Sequence, residues 1–336
     1  MKFAGIIAEY DPFHNGHAWQ LAQAKALGAE RVAVAMSCSL VQRGALPLLP
    51  EAVRTRSALT CGADLVFALP APCACAGAEA FARAGVALLA AAGCDGLVFG
   101  AETPDAALLM EAAELLDSGS YRAALKAQLA GGARSFAAAR QAAAAQLASD
   151  ERVAALLDKP NNNLAVEYCR AIRSLAPRME AYPLPRQGAD HGEALHSAHG
   201  QFASASALRK LWAEGGADAV APYVPEAVFP LYQEAYAAGQ YTDFSAAGRC
   251  ELALLRSACR DKAPFADIRG VSEGLEHRLE AAVRTSTTYD ELLDALTTVR
   301  YPRARMRRLA MDAALVSPPF RPISTCWEGR RMLFLS

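Results

Sequence analysis

Three features that would narrow the class at once are missing from this sequence: a charge excess, ligand-spaced cysteines and a long apolar run. Lysine and arginine number 34 against 35 acidic residues in 336, leaving a formal net charge of -1. That balance excludes a protein that coats nucleic acid by charge alone, though not a local basic patch. Nine cysteines are present, but no two have CxxC spacing. Cys61, Cys73, Cys75 and Cys94 lie among alanine and glycine, as small buried hydrophobes do, rather than in a disulfide or zinc framework. Charged residues or glycine break every apolar stretch, including the alanine-rich one at 76–92, short of the roughly 18 to 20 residues a membrane span needs. The opening MKFAGIIAEYDPF lacks the length and cleavage region of a signal peptide. A cytoplasmic protein with no membrane partner is expected, and no internal repeat is evident.

What is present is strand and helix in alternation. KFAGIIAE reads as a short buried strand, HAWQLAQAKALG as a helix stopping at Gly28, and RVAVAMS as a second strand, together a βαβ unit of a parallel sheet. A helix in PEAVRTRSALTCG, a strand in DLVFALP, a helix from about Gly77 to Ala92 and a strand in GLVFG continue the pattern. Residues 105–157 are so rich in Ala, Leu, Gln, Glu and Arg, with glycine breaks at Gly119 and Gly131 to Gly132, that three inserted helices are expected. A helix in NNLAVEYCRAIRSL, a strand in MEAYPLP and a helix in SASALRKLWAEG, ending at Gly215 to Gly216, complete an α/β domain over residues 1–214. Beyond it, Pro222, Pro225 and Pro230 punctuate a sequence of helical periodicity, so residues 215–336 are expected to form a smaller, mostly helical domain.

The loop between the first strand and first helix carries His14 and His17 around Asn15 and Gly16. In an open parallel sheet this loop lies at the carboxyl ends of the strands, where ligands bind, and the free N–H groups of a helix start attract anions. Gly16 would allow close backbone approach, and two imidazoles would donate hydrogen bonds to phosphate oxygens. The same histidines read alternatively as a partial metal site lacking its third ligand, or as packing residues beside Tyr10; no metal site is expected from the sequence.

His-x-Gly-His after a first strand, with SASALR at 204–209 far downstream, resembles the nucleotidyltransferase superfamily of Rossmann-like (HUP) fold. EYDPFHNGH, SCSLVQRG, GADLVFALP, VFGAE, KPNNNLAVEYCRAI, PRQGADH and FASASALR, in that order, together resemble the bacterial tRNA(Met) cytidine acetate ligase family. The stretch TTVRYPRARMRRLAMDAAL is similar to that family's basic helix.

This resemblance implies an ATP-dependent ligase that adenylates acetate, releases pyrophosphate, and passes the acetyl group to the exocyclic amine of the wobble cytidine of elongator tRNA(Met). It implies that Ile7, Ala8, Glu9, Tyr10, Asp11, Pro12, Phe13, His14, Asn15, Gly16, His17 and Gln20 surround ATP, with His14 and His17 catalytic on the phosphates. Gly100 would face the adenosine half. Asn161 or Asn162, together with Arg186, would bind nucleotide, and Ser204, Ser206 and Arg209 would complete the phosphate site. Mg²⁺ is expected to arrive on the nucleotide. Arg300, Arg303, Arg305, Arg307 and Arg308 would meet tRNA phosphates, with Arg300, Arg303 and Arg307 on one helix face, positioning RNA without reading its sequence.

Several positions depart from the family pattern. Asp11 stands where Asn is usual, Cys38 where Gly is usual, and Ala45, Leu46 and Pro47 replace Glu-Pro-Ala. Glu51, Arg54 and Arg56 are the charges where a lysine is usual, and Ala101 replaces Ser. The sequence closes on RPISTCWEGRRMLFLS, where typical members carry a longer C-terminal portion. These changes leave two alternatives open: a nucleotidyltransferase acting on another acid or nucleotide, and a catalytically degenerate ATP- or RNA-binding paralogue.

Overall fold

The computed structural model describes residues 1–132, 135–185, 195–197, 200–259 and 265–315. Five strands, β1 (Phe3–Ala8), β2 (Arg31–Ser37), β3 (Leu65–Leu69), β4 (Gly96–Ala101) and β5 (Glu180–Pro185), pair in parallel in the order β3-β2-β1-β4-β5. The inner strands β1, β2 and β4 are apolar and buried almost without alternation, as expected of a parallel sheet covered on both faces. Covering and connecting them are α1 (Asn15–Ala26), α2 (Glu51–Thr60), the short α3 (Ala71–Ala74) and α4 (Ala78–Ala91).

Between β4 and β5 the chain forms four helices, α5 (Ala106–Asp117), α6 (Gly119–Ala130), α7 (Phe136–Leu147) and α8 (Glu151–Leu156), rather than the expected three, before α9 (Pro160–Leu175). Two caps explain the count. The Ser118 hydroxyl accepts the Tyr121 N–H and the Asp150 carboxylate accepts the Arg152 N–H; each starts a helix that uniform alanine-rich composition conceals. A two-stranded antiparallel ribbon, β6 (Leu195–Ser197) and β7 (Gly200–Phe202), precedes α10 (Ala205–Val220). Helix α10 does not end at the glycine pair: it bends at Gly216 (φ 68°, ψ -154°) and continues. A Cβ there would sit 2.5 Å from the Tyr236 ring, so only glycine accommodates both the positive φ and the aromatic neighbour. A 3-10 turn, Ala221–Tyr223, and α11 (Phe229–Ala237) follow.

The chain divides into two compact units, Met1–Phe244 and Ser245–Ser336. The sequence expectation put the division at 214. The later position has a packing cause: Trp212, Val220, Val224, Val228, Tyr232 and Ala235 are buried in one cluster with Ala4, Ile6, Val32 and Val34 of the sheet. The second unit is helical among its described residues, with α12 (Phe244–Ala258), α13 (Leu275–Thr285), α14 (Tyr289–Leu296) and α15 (Arg303–Ala314). Its core is Leu252, Leu255, Leu279, Val283, Leu292, Leu293, Met306 and Leu309 among others. Among the described residues, no helix is long and apolar enough to cross a membrane.

Candidate functional site

The strand order reverses between β1 and β4, and the loop from β1 into α1 leaves the sheet beside that point, at the carboxyl ends of the strands. Open α/β sheets hold ligands in this crevice. Helix α1 is tied to β4 by Gln20, whose Nε2 donates to the Val98 carbonyl at 3.1 Å. Beneath the loop, Ile7 and Ala8 are strand residues, and Tyr10 and Phe13 are buried and meet edge to face at 4.9 Å. Tyr10 has φ 48° and Asp11–Pro12 is cis. The Asn15 side chain donates to the Pro222 carbonyl at 3.3 Å.

The two histidines cap α1 reciprocally. His14 Nδ1 accepts the Gly16 N–H at 3.0 Å and His17 Nδ1 accepts the His14 N–H at 3.2 Å. A nitrogen that accepts carries no proton, so each neutral ring has its hydrogen on Nε2. The rings stack with centroids 3.7 Å apart, and Tyr10 lies edge-on to His17 at 4.8 Å. Both rings are thus held in one tautomer by backbone groups, with Nε2 the protonated nitrogen of each. Gly16 has a reason the sequence did not disclose: a Cβ at that position would lie 2.8 Å from His14 Cε1. The glycine makes room for the capping ring.

Asp11 is 2% exposed. Its Oδ1 accepts the Leu48 N–H at 2.5 Å, and its Oδ2 lies 2.5 Å from Arg43 and 3.4 Å from Arg209. Arg209 also donates to the Asp11 carbonyl at 2.5 Å, joining positions 198 apart in sequence. The negative charge expected beside a polyphosphate is thus met by two guanidinium groups. Ser204 caps α10 by accepting the Ala207 N–H at 3.2 Å, and its hydroxyl is 3.0 Å from that of Ser206. Phe202 Cδ1 lies within 3.7 Å of a Cβ built on Gly16. The starts of α1 and α10, two helix ends that attract anions, are consequently neighbours.

A second cluster forms where β4 ends. Among the described residues, no atom lies within 4 Å of a Cβ built on Gly100, so that position is clear of them. Glu102 caps α9: its Oε2 accepts the Asn162 N–H at 2.6 Å and its Oε1 accepts both the N–H (3.2 Å) and Nδ2 (2.6 Å) of Asn161. Asn162 is 1% exposed and bonded to Thr103 through both side-chain atoms. Asn161, half-buried, is the member of the pair at the surface of the cluster. Arg186 lies outside the described residues.

Around these groups, burial, then Asp11, raises the Glu9 carboxyl above its usual range, while its Oε1 accepts the Gln42 N–H at 2.5 Å. Burial, followed by the nearby Glu51, pushes the Cys38 thiol up to about 12. Cys38 therefore stays protonated at neutral pH and is no thiolate nucleophile. Arg54 does not replace a phosphate-binding lysine. It is fully buried, and its guanidinium donates to the carbonyls of Glu9 (2.7 Å), Ser37 (2.6 Å), Leu49 (2.9 Å) and Cys38. Arg56 is at the surface beside Glu234, 3.6 Å away. Sequence reasoning passed over Arg43, Gln42 and Glu102; the tight turn at QRG and the strand-end GAE were their only local signals.

The basic run of the second unit differs from its expected form. Helix α15 begins at Arg303, so Arg300 lies in the preceding turn, off the helix face it was expected to share with Arg303 and Arg307. The reason is Pro302, which sits at the N-cap with extended backbone and cannot donate to a preceding turn. Arg300 pairs with Glu273 at 2.6 Å, and Arg303 pairs with Asp290 at 2.6 Å and also with Asp294. Arg305 stacks over Tyr301 at 4.9 Å. Arg307 and Arg308 are half-buried and act electrostatically on Glu251 and Asp312 respectively.

Residues 1–319 match the family model described as HIGH Nucleotidyl Transferase. A tRNA(Met) cytidine acetate ligase of Syntrophotalea carbinolica is 36% identical over 314 residues, covering 93% of this chain and 73% of the relative. Another, from Acetivibrio thermocellus, is 33% identical over 322 residues, covering 93% and 76%. Among solved structures, apo Thermotoga maritima TmcAL superposes with a TM-score of 0.87 at 30% identity over 95% of this chain and 76% of that one. The same protein bound with alpha-thio ATP superposes at 0.84, again at 30% identity and with the same coverage.

Proposed function

This chain belongs to the HIGH nucleotidyl transferase family, among the tRNA(Met) cytidine acetate ligases, and we propose that it activates acetate with ATP and acetylates elongator tRNA(Met). An acetate oxygen attacks the α-phosphorus of ATP, the bond from that phosphorus to the bridging oxygen breaks, and pyrophosphate leaves. The wobble cytidine N4 then attacks the acetyl carbonyl of the acetyl-adenylate, AMP departs, and N4 gives up a proton to solvent. No enzyme nucleophile is required, so catalysis rests on positioning and on stabilising phosphate charge.

The observation that carries this reading is the reciprocal His14–His17 cap beside Arg209 and the start of α10. Two Nε2–H donors, two helix N-termini and a guanidinium converge where a triphosphate needs them. His14 and His17 stabilise the charge that develops on the phosphates; Ser204, Ser206 and Arg209 hold the same groups. Gly100 gives the adenosine half its space, and of the two asparagines Asn161, rather than the buried Asn162 held by Thr103, reaches the nucleotide. Arg186 completes the nucleotide contacts. The magnesium that accompanies ATP is carried by phosphate oxygens and water. Asp11 offers no support for a degenerate paralogue, since its charge is already met by Arg43 and Arg209. Arg300, Arg303, Arg305, Arg307 and Arg308 supply phosphate contacts to the tRNA, in the cytoplasm.

Incubation of the purified chain with ATP, Mg²⁺ and labelled acetate, with and without tRNA(Met), tests the proposal. Acetate-dependent release of AMP together with label on the tRNA is the expected result. Label on tRNA only with another acid, or no turnover beside intact ATP binding, would replace it with the corresponding alternative.

A further inference from the structure

The turn at Val41–Ala45 is closed by an antiparallel bridge and held to the β1 loop at two points: Glu9 accepts the Gln42 N–H, and the Asp11 carboxylate pairs with Arg43. The Asp11 oxygen that faces Arg43 at 2.5 Å also faces Arg209 at 3.4 Å, so the two guanidinium groups flank one carboxylate. The carboxylate is buried, with a side-chain exposure of 1%, whereas Arg43 and Arg209 retain 20% and 17%. Half-buried Glu9 feels the same two guanidinium groups, and burial, then Asp11, raises its carboxyl, so Asp11 is the carboxylate that Arg43 and Arg209 pair with directly. This corner adjoins the α1 and α10 N-termini, which attract anions.

From this geometry we propose that Arg43 is a further polyphosphate contact, acting on the pyrophosphate portion of ATP opposite Arg209, with Asp11 fixing the separation of the two guanidinium groups. The inference rests on the nucleotide reading given above. In that arrangement Arg43 takes up charge as the bond between the α-phosphorus and the bridging oxygen breaks and pyrophosphate leaves. It distinguishes Arg43 from Arg54, whose guanidinium is saturated by carbonyls, and from Arg56, which pairs at the surface.

Direct binding of inorganic pyrophosphate and of AMP to the full chain tests this without requiring acetate or turnover. For Arg43→Gln, pyrophosphate affinity should fall about tenfold to a hundredfold, the scale of one charge-assisted hydrogen bond, while AMP affinity stays within about twofold. Arg56→Gln should leave both unchanged. Pyrophosphate affinity unaltered in Arg43→Gln, or pyrophosphate and AMP weakened together, would overturn the assignment. If Arg43→Gln does not fold, Arg43→Lys decides by the same comparison: selective weakening of pyrophosphate supports the contact, and equal or no change refutes it. Wild-type pyrophosphate binding that depends on Arg43, in a chain without acetate-dependent AMP release, would sink the ligase reading and leave this one standing.

Discussion

Asp11 in the first unit and Glu251 in the second are both buried carboxylates, and they are satisfied in opposite ways. Asp11 is shared by Arg43, Arg209 and a backbone N–H, so it enters the interior as an ion with partners on several sides. Glu251, 8% exposed, receives the Tyr289 hydroxyl at 2.6 Å and feels Arg307 only as a more distant charge; burial pushes its carboxyl up to about 7. The arginines follow the same division. Those at the sheet end converge on common buried acceptors, whereas two of those leading into and along α15 are met by surface carboxylates, Arg300 by Glu273 and Arg303 by Asp290 and Asp294. A basic run in sequence becomes a binding surface only to the extent that its charges are left unneutralised, and the sheet-end site is the better prepared of the two.

The comparison can be broken most severely at the histidine cap. Replacing His14 and His17 together by Ala removes both Nε2–H donors and should lower acetate-dependent AMP formation by at least about a hundredfold, read in steady-state kinetics. Gly100→Leu comes next. Its side chain would meet no atom of the described residues, so the melting temperature should stay near wild type, while calorimetry should show ATP binding weakened by about tenfold or more. Equal losses of stability and binding would mean that Gly100 is packed rather than kept clear.

Glu251→Gln sharpens the other side. A carboxyl whose folded-state pKa, about 7, exceeds the ordinary value of 4.5 stabilises the fold fully below that ordinary value. The contribution is lost as pH rises through about 7, at no more than about 1.4 kcal/mol per pH unit. Glutamine keeps an acceptor for Tyr289 and cannot ionise, so thermal melts should show the variant more stable than wild type at pH 8 and matched to it at pH 4. The smallest effect is expected at α15. Replacing Asp290 and Asp294 by Asn releases Arg303 and should tighten tRNA binding a few-fold, with a salt dependence steeper by about one phosphate contact. An unchanged slope would place Arg303 away from the RNA.

Much of this was legible in the sequence because both the sheet and the proposed phosphate site are written locally. Inner parallel strands are unbroken apolar runs, and RVAVAMS is β2 residue for residue. HNGH and SASALR each carry a helix start, and the structure brings them together. What depends on distant pairing was not legible. Asp11 read only as a departure from the usual Asn, because its partners Arg43 and Arg209 are distant in sequence. Asn161 and Asn162 were equivalent in sequence, and burial together with the contact with Thr103 separates them. The α11 residues looked like the start of the helical domain because helical periodicity does not say which core a face will join. Tyr232, whose hydroxyl donates to the Phe13 carbonyl at 2.7 Å, ties that helix to the histidine loop instead.

The central claim is that His14 and His17 are held as Nε2–H tautomers aimed at phosphate. Nitrogen-15 spectra of the imidazoles, assigned through His14→Ala and His17→Ala and recorded with and without ATP, test it most directly. Both Nδ1 atoms should report as unprotonated acceptors, and both Nε2–H signals should shift with ATP or pyrophosphate and stay still with adenosine. Nδ1–H tautomers, or shifts that follow adenosine instead of phosphate, would contradict the account.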